Sequence, residues 1–268
     1  MRRVFLALLV IAFSQFFVNT AFAITNGELD GDGHPGVVLI IMDINGWPAY
    51  RCSGVMIAPT YVLTAGHCAG APGEFSGMRI FTESDVQNGD NTYPFGGGPN
   101  SIEAIRWAAH PLYPTASFVL HDVGMIELAE PFNLPADQYA TLPAVNSLDA
   151  MATRRGLQNQ TFTAVGYGLQ EINPVFVESV KIRMVAHPHL IQINVPGFVG
   201  DFSLLLSNNH STGGTCFGDS GGPNFIGDSL VVGGVTSFGI NGNCAGTGGV
   251  FRMDRQNVQD FIHSFMNQ

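Results

Sequence analysis

Near its C-terminal end the chain reads Gly213-Gly214-Thr215-Cys216-Phe217-Gly218-Asp219-Ser220-Gly221-Gly222-Pro223. A serine between glycines packs poorly. It suits a hydroxyl that must stand clear of a tight turn, with backbone N–H groups free to meet a developing negative charge. A serine alone is a weak nucleophile and needs a base, which a third group must orient. His67 is the candidate base, in Cys52-Ser53-Gly54-Val55-Met56-Ile57-Ala58-Pro59-Thr60-Tyr61-Val62-Leu63-Thr64-Ala65-Gly66-His67-Cys68. An imidazole titrates near neutrality and can both take and return a proton. Asp122 is the candidate carboxylate, in His121-Asp122-Val123-Gly124-Met125-Ile126-Glu127-Leu128. It would hold the imidazole in one tautomer and stabilise its charged form; the adjacent His121 is read as structural or exposed. Together these three types can perform acyl transfer through a covalent serine intermediate.

The three segments, in the order His, Asp, Ser, resemble those of the chymotrypsin/trypsin family of serine endopeptidases. Ile24-Thr25-Asn26-Gly27 is similar to that family's mature N-terminus. Val165-Gly166-Tyr167-Gly168 is similar to a mid-chain strand, and Val235-Thr236-Ser237-Phe238-Gly239 to the substrate-binding strand. The resemblance runs from Ile24 to the C-terminus. It implies an all-β, chymotrypsin-like fold of two packed antiparallel β-barrels with the catalytic cleft between them. It also implies a protein or peptide substrate and, as a further candidate partner, a proteinaceous inhibitor. No cofactor and no metal are expected.

Carried over position by position, the resemblance makes the N–H groups of Gly218 and Ser220 the oxyanion donors. It pairs Asp219 with the α-amino group of Ile24, which cleavage after Ala23 would itself generate without an activation peptide. Four cysteines allow three pairings; the resemblance selects Cys52 with Cys68 and Cys216 with Cys244. It places Gly214 and Thr215 at the base of the substrate pocket, with Ser237, Phe238, Gly239 and Gly249 in its walls. Preference for Lys or Arg would need an acid where this chain has Gly214, so a large apolar or aromatic P1 side chain is expected.

The elements that must hold these residues are short. Apolar or alternating runs at Val37–Met42, Val55–Ile57, Tyr61–Leu63, Met78–Phe81, Ile102–Trp107 and Val123–Leu128 predict strands of a first half. Thr161–Val165, Glu178–Val185, Leu204–Leu206, Leu230–Val235 and Gly249–Arg252 predict strands of a second. Gln87–Asn100 reads as a surface loop and Ala129–Gln160 as the crossing between halves. Asp254 is expected to cap a helix with Val258, Phe261, Ile262 and Phe265 on its apolar face. The expected boundaries are a first barrel at about 24–140, a second at about 141–252 and a helix at about 254–266, all one protease domain, 24–268.

Arg2 and Arg3, an apolar run from Val4 to Val18 and Ala21-Phe22-Ala23 read as a secretory signal over 1–23, so the mature chain is expected to be extracellular or periplasmic. No stable membrane association is expected after its cleavage. In an exported chain the cysteines are expected to be disulfide-bonded. The whole chain carries 11 basic against 21 acidic residues; removing the two signal arginines leaves nine against 21, a net charge of −12. Nucleic acid is therefore not an expected partner.

Weaker patterns carry less. Asp30-Gly31-Asp32-Gly33 lacks the terminal acidic ligand of a calcium loop, Ile41 standing where it would fall, and reads as a turn. Asp85, Asn88 and Asp90 could line a calcium-binding loop by the same resemblance but read as a solvated loop, and Asn159 and Asn209 begin glycosylation-acceptor patterns. Two rival functions stand beside the peptidase. A catalytically silent homologue acting as a binding module would usually lack a triad member or an oxyanion glycine, and this chain keeps both. An esterase elbow fits Gly218-Asp219-Ser220-Gly221-Gly222, but that fold places its acid and histidine after the serine.

Overall fold

The computed structural model describes residues 24–113, 120–152, 159–172, 177–194 and 202–268. The expected signal, 1–23, lies outside the described residues.

Residues of the first half close into a six-stranded antiparallel barrel. Its strands are β2 (Val37–Ile44), β3 (Trp47–Ala58), β4 (Tyr61–Thr64), β5 (Gly77–Phe81), β6 (Ser101–Ala109) and β7 (Gly124–Leu128), with a one-turn helix α1 (Gly66–Ala69) after β4. The barrel order is β2-β3-β4-β7-β6-β5. β2 is buried from Val37 to Asp43. A strand so apolar without alternation is one covered on both faces. The loop after β5 is tied down from within: the Glu83 carboxylate accepts from the Asp90 amide and from the Asn91 and Asn100 side chains.

The second half is an eight-stranded antiparallel sheet that curls into a half-barrel. Its members are β1 (Glu28–Leu29), β8 (Phe162–Gly166), β11 (Met184–Ala186), β12 (Leu190–Ile193), β13 (Ser203–Asn208), β14 (Pro223–Ile226), β15 (Val232–Gly239) and β16 (Gly246–Arg252), in the order β1-β11-β8-β14-β15-β16-β13-β12. A separate hairpin pairs β9 (Glu171–Ile172) with β10 (Val177–Glu178). The N-terminal strand β1 thus joins the second sheet, not the first barrel: Ile24 is buried with Met184 and Ala186, which draws the chain onto β11. One apolar cluster runs through both halves, from Val37 and Leu63 to Tyr167, Phe225, Val235 and Phe251, and takes in the C-terminal helix.

Two local expectations are corrected. The run Glu178–Val185 is not one strand. The Gln170 side chain bonds both the amide and the carbonyl of Val180, at 2.7 and 2.6 Å, and so replaces a strand neighbour there. The C-terminal helix α2 spans Gln256–Met266, with Arg255 at its N-cap and no side-chain cap. Asp254 is instead buried in an ion pair with Arg252 and accepts the Leu148 amide at 2.9 Å. The apolar face is as expected, with Val258, Ile262 and Phe265 buried. Asp30-Gly31-Asp32-Gly33 is a turn, closed by Gly33 N–H to the Asp30 carbonyl, and the Asp30 carboxylate is taken by His34 and the buried Arg183.

Candidate active site

His67 rides on α1, which is pressed against the start of β7 by two glycines. A Cβ on Gly124 would stand 2.6 Å from the Ala65 carbonyl oxygen, and one on Gly66 would meet the Tyr113 ring at 3.0 Å and Asp122 Oδ1 at 3.2 Å. The approach at Gly124 is closer than real Cβ atoms pack and requires glycine, while that at Gly66 is tight and would make its neighbours give way. The disulfide Cys52–Cys68 fastens the same helix to β3.

Asp122 is fully buried. It accepts the His67 backbone amide at 2.9 Å and His67 Nδ1 at 3.0 and 3.1 Å, and it accepts from Ser237 Oγ at 2.5 Å. The preceding His121 has φ 54°, a left-handed conformation costly for a side chain of this size. Its ring stacks on His110 at 4.8 Å and packs on Phe202 at 5.5 Å, which holds the turn and makes His121 a structural residue. Burial lowers the pKa of His67, but the charge of Asp122 and their hydrogen bond outweigh it and hold the imidazole above its ordinary 6.5.

Ser220 comes from the second half, in the turn before β14. Gly218 and Gly221 have φ +101° and +76°. A Cβ on Gly221 would overlap Thr64 Oγ1, and one on Gly222 would meet the Val165 carbonyl oxygen at 2.7 Å. Among the described residues, neither the Gly218 nor the Ser220 amide donates to a protein acceptor. Ser220, Gly218 and His67 line one open cleft of about 640 Å³, with no hydrogen bond between Ser220 Oγ and His67. Catalytic contacts of this kind commonly tighten only when substrate binds.

Ser53, for which the residue pattern predicts no role, joins the two halves at this point. Its amide donates to the Ser220 carbonyl at 2.8 Å. Its buried hydroxyl donates to the Gly218 carbonyl at 2.9 Å and accepts the Tyr167 amide at 3.0 Å. Only its place beside Cys52 hinted at this.

Asp219 is also fully buried, with its carboxylate on the amides of Gly168 and Cys216 at 2.7 and 2.9 Å. Burial, only partly offset by those amides and by the charge of Arg51, pushes its pKa up to about 7. Ile24 is fully buried, and the next residue, Thr25, bridges to Gly214.

A second cavity of about 320 Å³ opens beside Ser220, lined by Thr215, Phe217, Ser237, Phe238, Gly239 and Ile240 among others. Among the described residues no charged side chain lines it. The disulfide Cys216–Cys244 also borders it. Two expected lining residues lie elsewhere. The space a Gly214 side chain would need is filled by Asn208, and Gly249 is covered by the Phe238 ring. Ser237 serves the cavity wall and Asp122 together. Among the described residues, the cluster with metal-ligand character is Cys52, His67 and Cys68, and there both sulfurs are spent in a disulfide.

The sequence model of the Trypsin family matches residues 33–262. Brachyurin of Leptuca pugilator is 29% identical over 216 residues, 75% of this chain and 84% of that protein. Chymase of Canis lupus familiaris is 27% identical over 193 residues, 71% and 69% of the two chains. Among solved structures, HL collagenase superposes with a TM-score of 0.69 at 21% identity, covering 91% of this chain and 99% of its own.

Proposed function

The chain belongs to the trypsin family of serine endopeptidases, and from that premise we propose that His67, Asp122 and Ser220 form its catalytic triad. Ser220 Oγ attacks the scissile carbonyl of a protein or peptide as its proton passes to His67. The amides of Gly218 and Ser220 hold the oxyanion. The C–N bond then breaks, and the leaving amine takes the proton from the imidazolium. Water repeats the sequence on the acyl-enzyme, with His67 again as base, and frees the acid. The observation that carries this reading is the buried Asp122 carboxylate, which grips both the amide and Nδ1 of His67 and so turns Nε2 toward the cleft that Ser220 lines.

The uncharged 320 Å³ cavity, walled by Phe217, Phe238 and Ile240, supports a large apolar or aromatic P1 residue. The unpaired, buried Asp219 supports a mature N-terminus at Ile24, its ammonium group supplying the missing cation. A chain cleaved after Ala23 by signal removal and active outside the cell fits both disulfides. Among the described residues no helix is long and apolar enough to cross a membrane.

Labelling of the mature protein by a fluorophosphonate, with the adduct located by peptide mass spectrometry, tests the triad. A label on Ser220 that disappears in Ser220→Ala supports it; an unlabelled, folded, correctly processed protein refutes it. On a P1 panel, faster turnover after Arg than after Phe or Leu would overturn the specificity.

A further inference from the structure

Six arginines fall within the described residues, and five of them are ion-paired: Arg79, Arg106, Arg183, Arg252 and Arg255. Arg51 has neither an ion pair nor a side-chain hydrogen bond among the described residues. It is also the one that lines the catalytic cleft. In β3 Arg51 is half-buried beside the buried Cys52, and it reaches the cleft next to Gly218. Its Nε and Nη2 lie 2.8 and 3.4 Å from the point a Gly218 Cβ would occupy. Burial is the largest influence on this guanidinium and lowers its pKa, against the pull of Tyr93 and Asp219; it remains charged at any working pH. Half-desolvated cations are normally matched to an anion.

Among the described residues, the two cavities at the nucleophile share only Phe217 and Ser220. If the uncharged cavity takes the side chain before the scissile bond, the residues after it leave through the 640 Å³ cleft. There Arg51 stands among Tyr50, Phe75 and Tyr93. Glu74 also lines this cleft, but its carboxylate is turned to the amide of Ala71 in its own loop and makes no ion pair with Arg51. Elsewhere the protein is strongly acidic, with a net charge of −10 over the whole chain. A carboxylate would be repelled by that field at any site without a local cation.

We propose that Arg51 is a specificity residue for the leaving-group side of the substrate, binding a carboxylate on the first or second residue after the scissile bond. The guanidinium offers a planar pair of donors suited to a carboxylate, and a partly buried site strengthens such a pair. This inference rests on the peptidase reading, from which it takes the position of the scissile bond.

The test uses mature enzyme and internally quenched, C-terminally amidated peptides that differ only in Glu, Gln or Lys at P1′ or P2′. A further peptide ends at P2′ as a free acid with Gln at both positions, separating an α-carboxylate from an acidic side chain. Each enzyme is normalised by fluorophosphonate titration, so failure of the triad shows as absent label and not as lost selectivity. For the wild type, kcat/KM should be about tenfold higher for Glu than for Gln at low ionic strength, and lowest for Lys. The ratio should shrink severalfold in 1 M NaCl. Arg51→Gln should bring the Glu/Gln ratio to about one or below, and Arg51→Glu should put Lys first. A gain confined to the free acid would assign the same guanidinium to an α-carboxylate. A wild type indifferent to charge at both positions, or a ratio unchanged in Arg51→Gln, overturns the proposal. So does an Arg51→Gln loss equal for every peptide, which would place the guanidinium's effect on the reacting carbonyl. Should turnover be absent, NMR titration of Ser220→Ala with the leaving peptides decides: Glu-initiated peptide must bind more tightly than Gln-initiated, and only while Arg51 is present.

Discussion

Blocking the α-amino group of Ile24 should reveal what an unpaired Asp219 does to the fold. The carboxylate is fully buried, and in the described residues its hydrogen bonds come from two amides while no cationic side chain is ion-paired to it. Burial raises its pKa from 3.8 to about 7. Between those values the folded state keeps a proton that the unfolded chain has released. Stability must therefore fall as pH rises through this window, the reverse of a salt-bridged carboxylate. At about 1.4 kcal/mol for each tenfold in proton affinity, the loss approaches 4 kcal/mol by neutral pH. That is a large part of the ~5–15 kcal/mol a domain possesses. A free ammonium on Ile24 should recover much of it. The comparison is between protein beginning at Ile24 and the same protein extended by Ala23, unfolded in urea at pH 4, 5.5 and 7.5. Other groups titrate alike in both, so the difference isolates Asp219. The two should lie closest at pH 4 and diverge toward neutrality, the extended form becoming weaker by about 2–4 kcal/mol and losing activity with it. In the extended form, Asp219→Asn should flatten the pH dependence. Equal stability at pH 7.5, or a gap that widens toward acid, refutes the argument.

The elevated pKa of His67 sets the acid limb of the rate: kcat/KM should rise with pH through a midpoint above 6.5, and a profile flat down to about pH 4 would contradict its role as base. Ser53→Ala orphans the buried Tyr167 amide and takes a donor from the half-buried Gly218 carbonyl at the seam. Urea unfolding should show a loss of about 2–4 kcal/mol, with kcat per labelled site lowered because the Gly218 peptide is less firmly held; a loss below about 0.5 kcal/mol would remove Ser53 from this account. Ser237→Ala takes one of the bonds to Asp122 but leaves the two ties to His67. A fall in kcat/KM of about tenfold is expected, and an unaltered value would show that the Ser237 hydroxyl is dispensable.

The nucleophile run, the histidine turn and the order of the three segments were legible because each uses residue types that packing alone would avoid. Strand positions were legible where apolar runs were long, as in β2. The fate of Glu178–Val185 was not, because a side chain distant in sequence, Gln170, supplies the partner for Val180. Asp254 looked like a cap by its place before an apolar face; a buried Arg252 competed for it and won, since a desolvated guanidinium demands a counter-charge. Gly214 and Gly249 were aligned with a pocket, but glycines also admit neighbours, and here Asn208 and Phe238 occupy the space. Ser53 and Arg51 were invisible because their roles depend on what the other half of the molecule brings to them. Pairing across the seam leaves no trace in local pattern.

That seam also bears on when the enzyme comes into being. His67 and Asp122 belong to the half that is synthesised first, while Ser220 precedes β15, β16 and α2, the last elements made. On the proposed triad, a growing chain carries base and carboxylate, but no nucleophile to activate, from Asp122 until Ser220 is added. The turn that presents Ser220 is secured from the earlier half, by the Ser53 amide and hydroxyl. On this reading hydrolysis needs Ser220, and the strands that follow it, to be in place against the first barrel. A chain truncated before Ser220 would lack the nucleophile and be inert toward its siblings, a safeguard written into chain order.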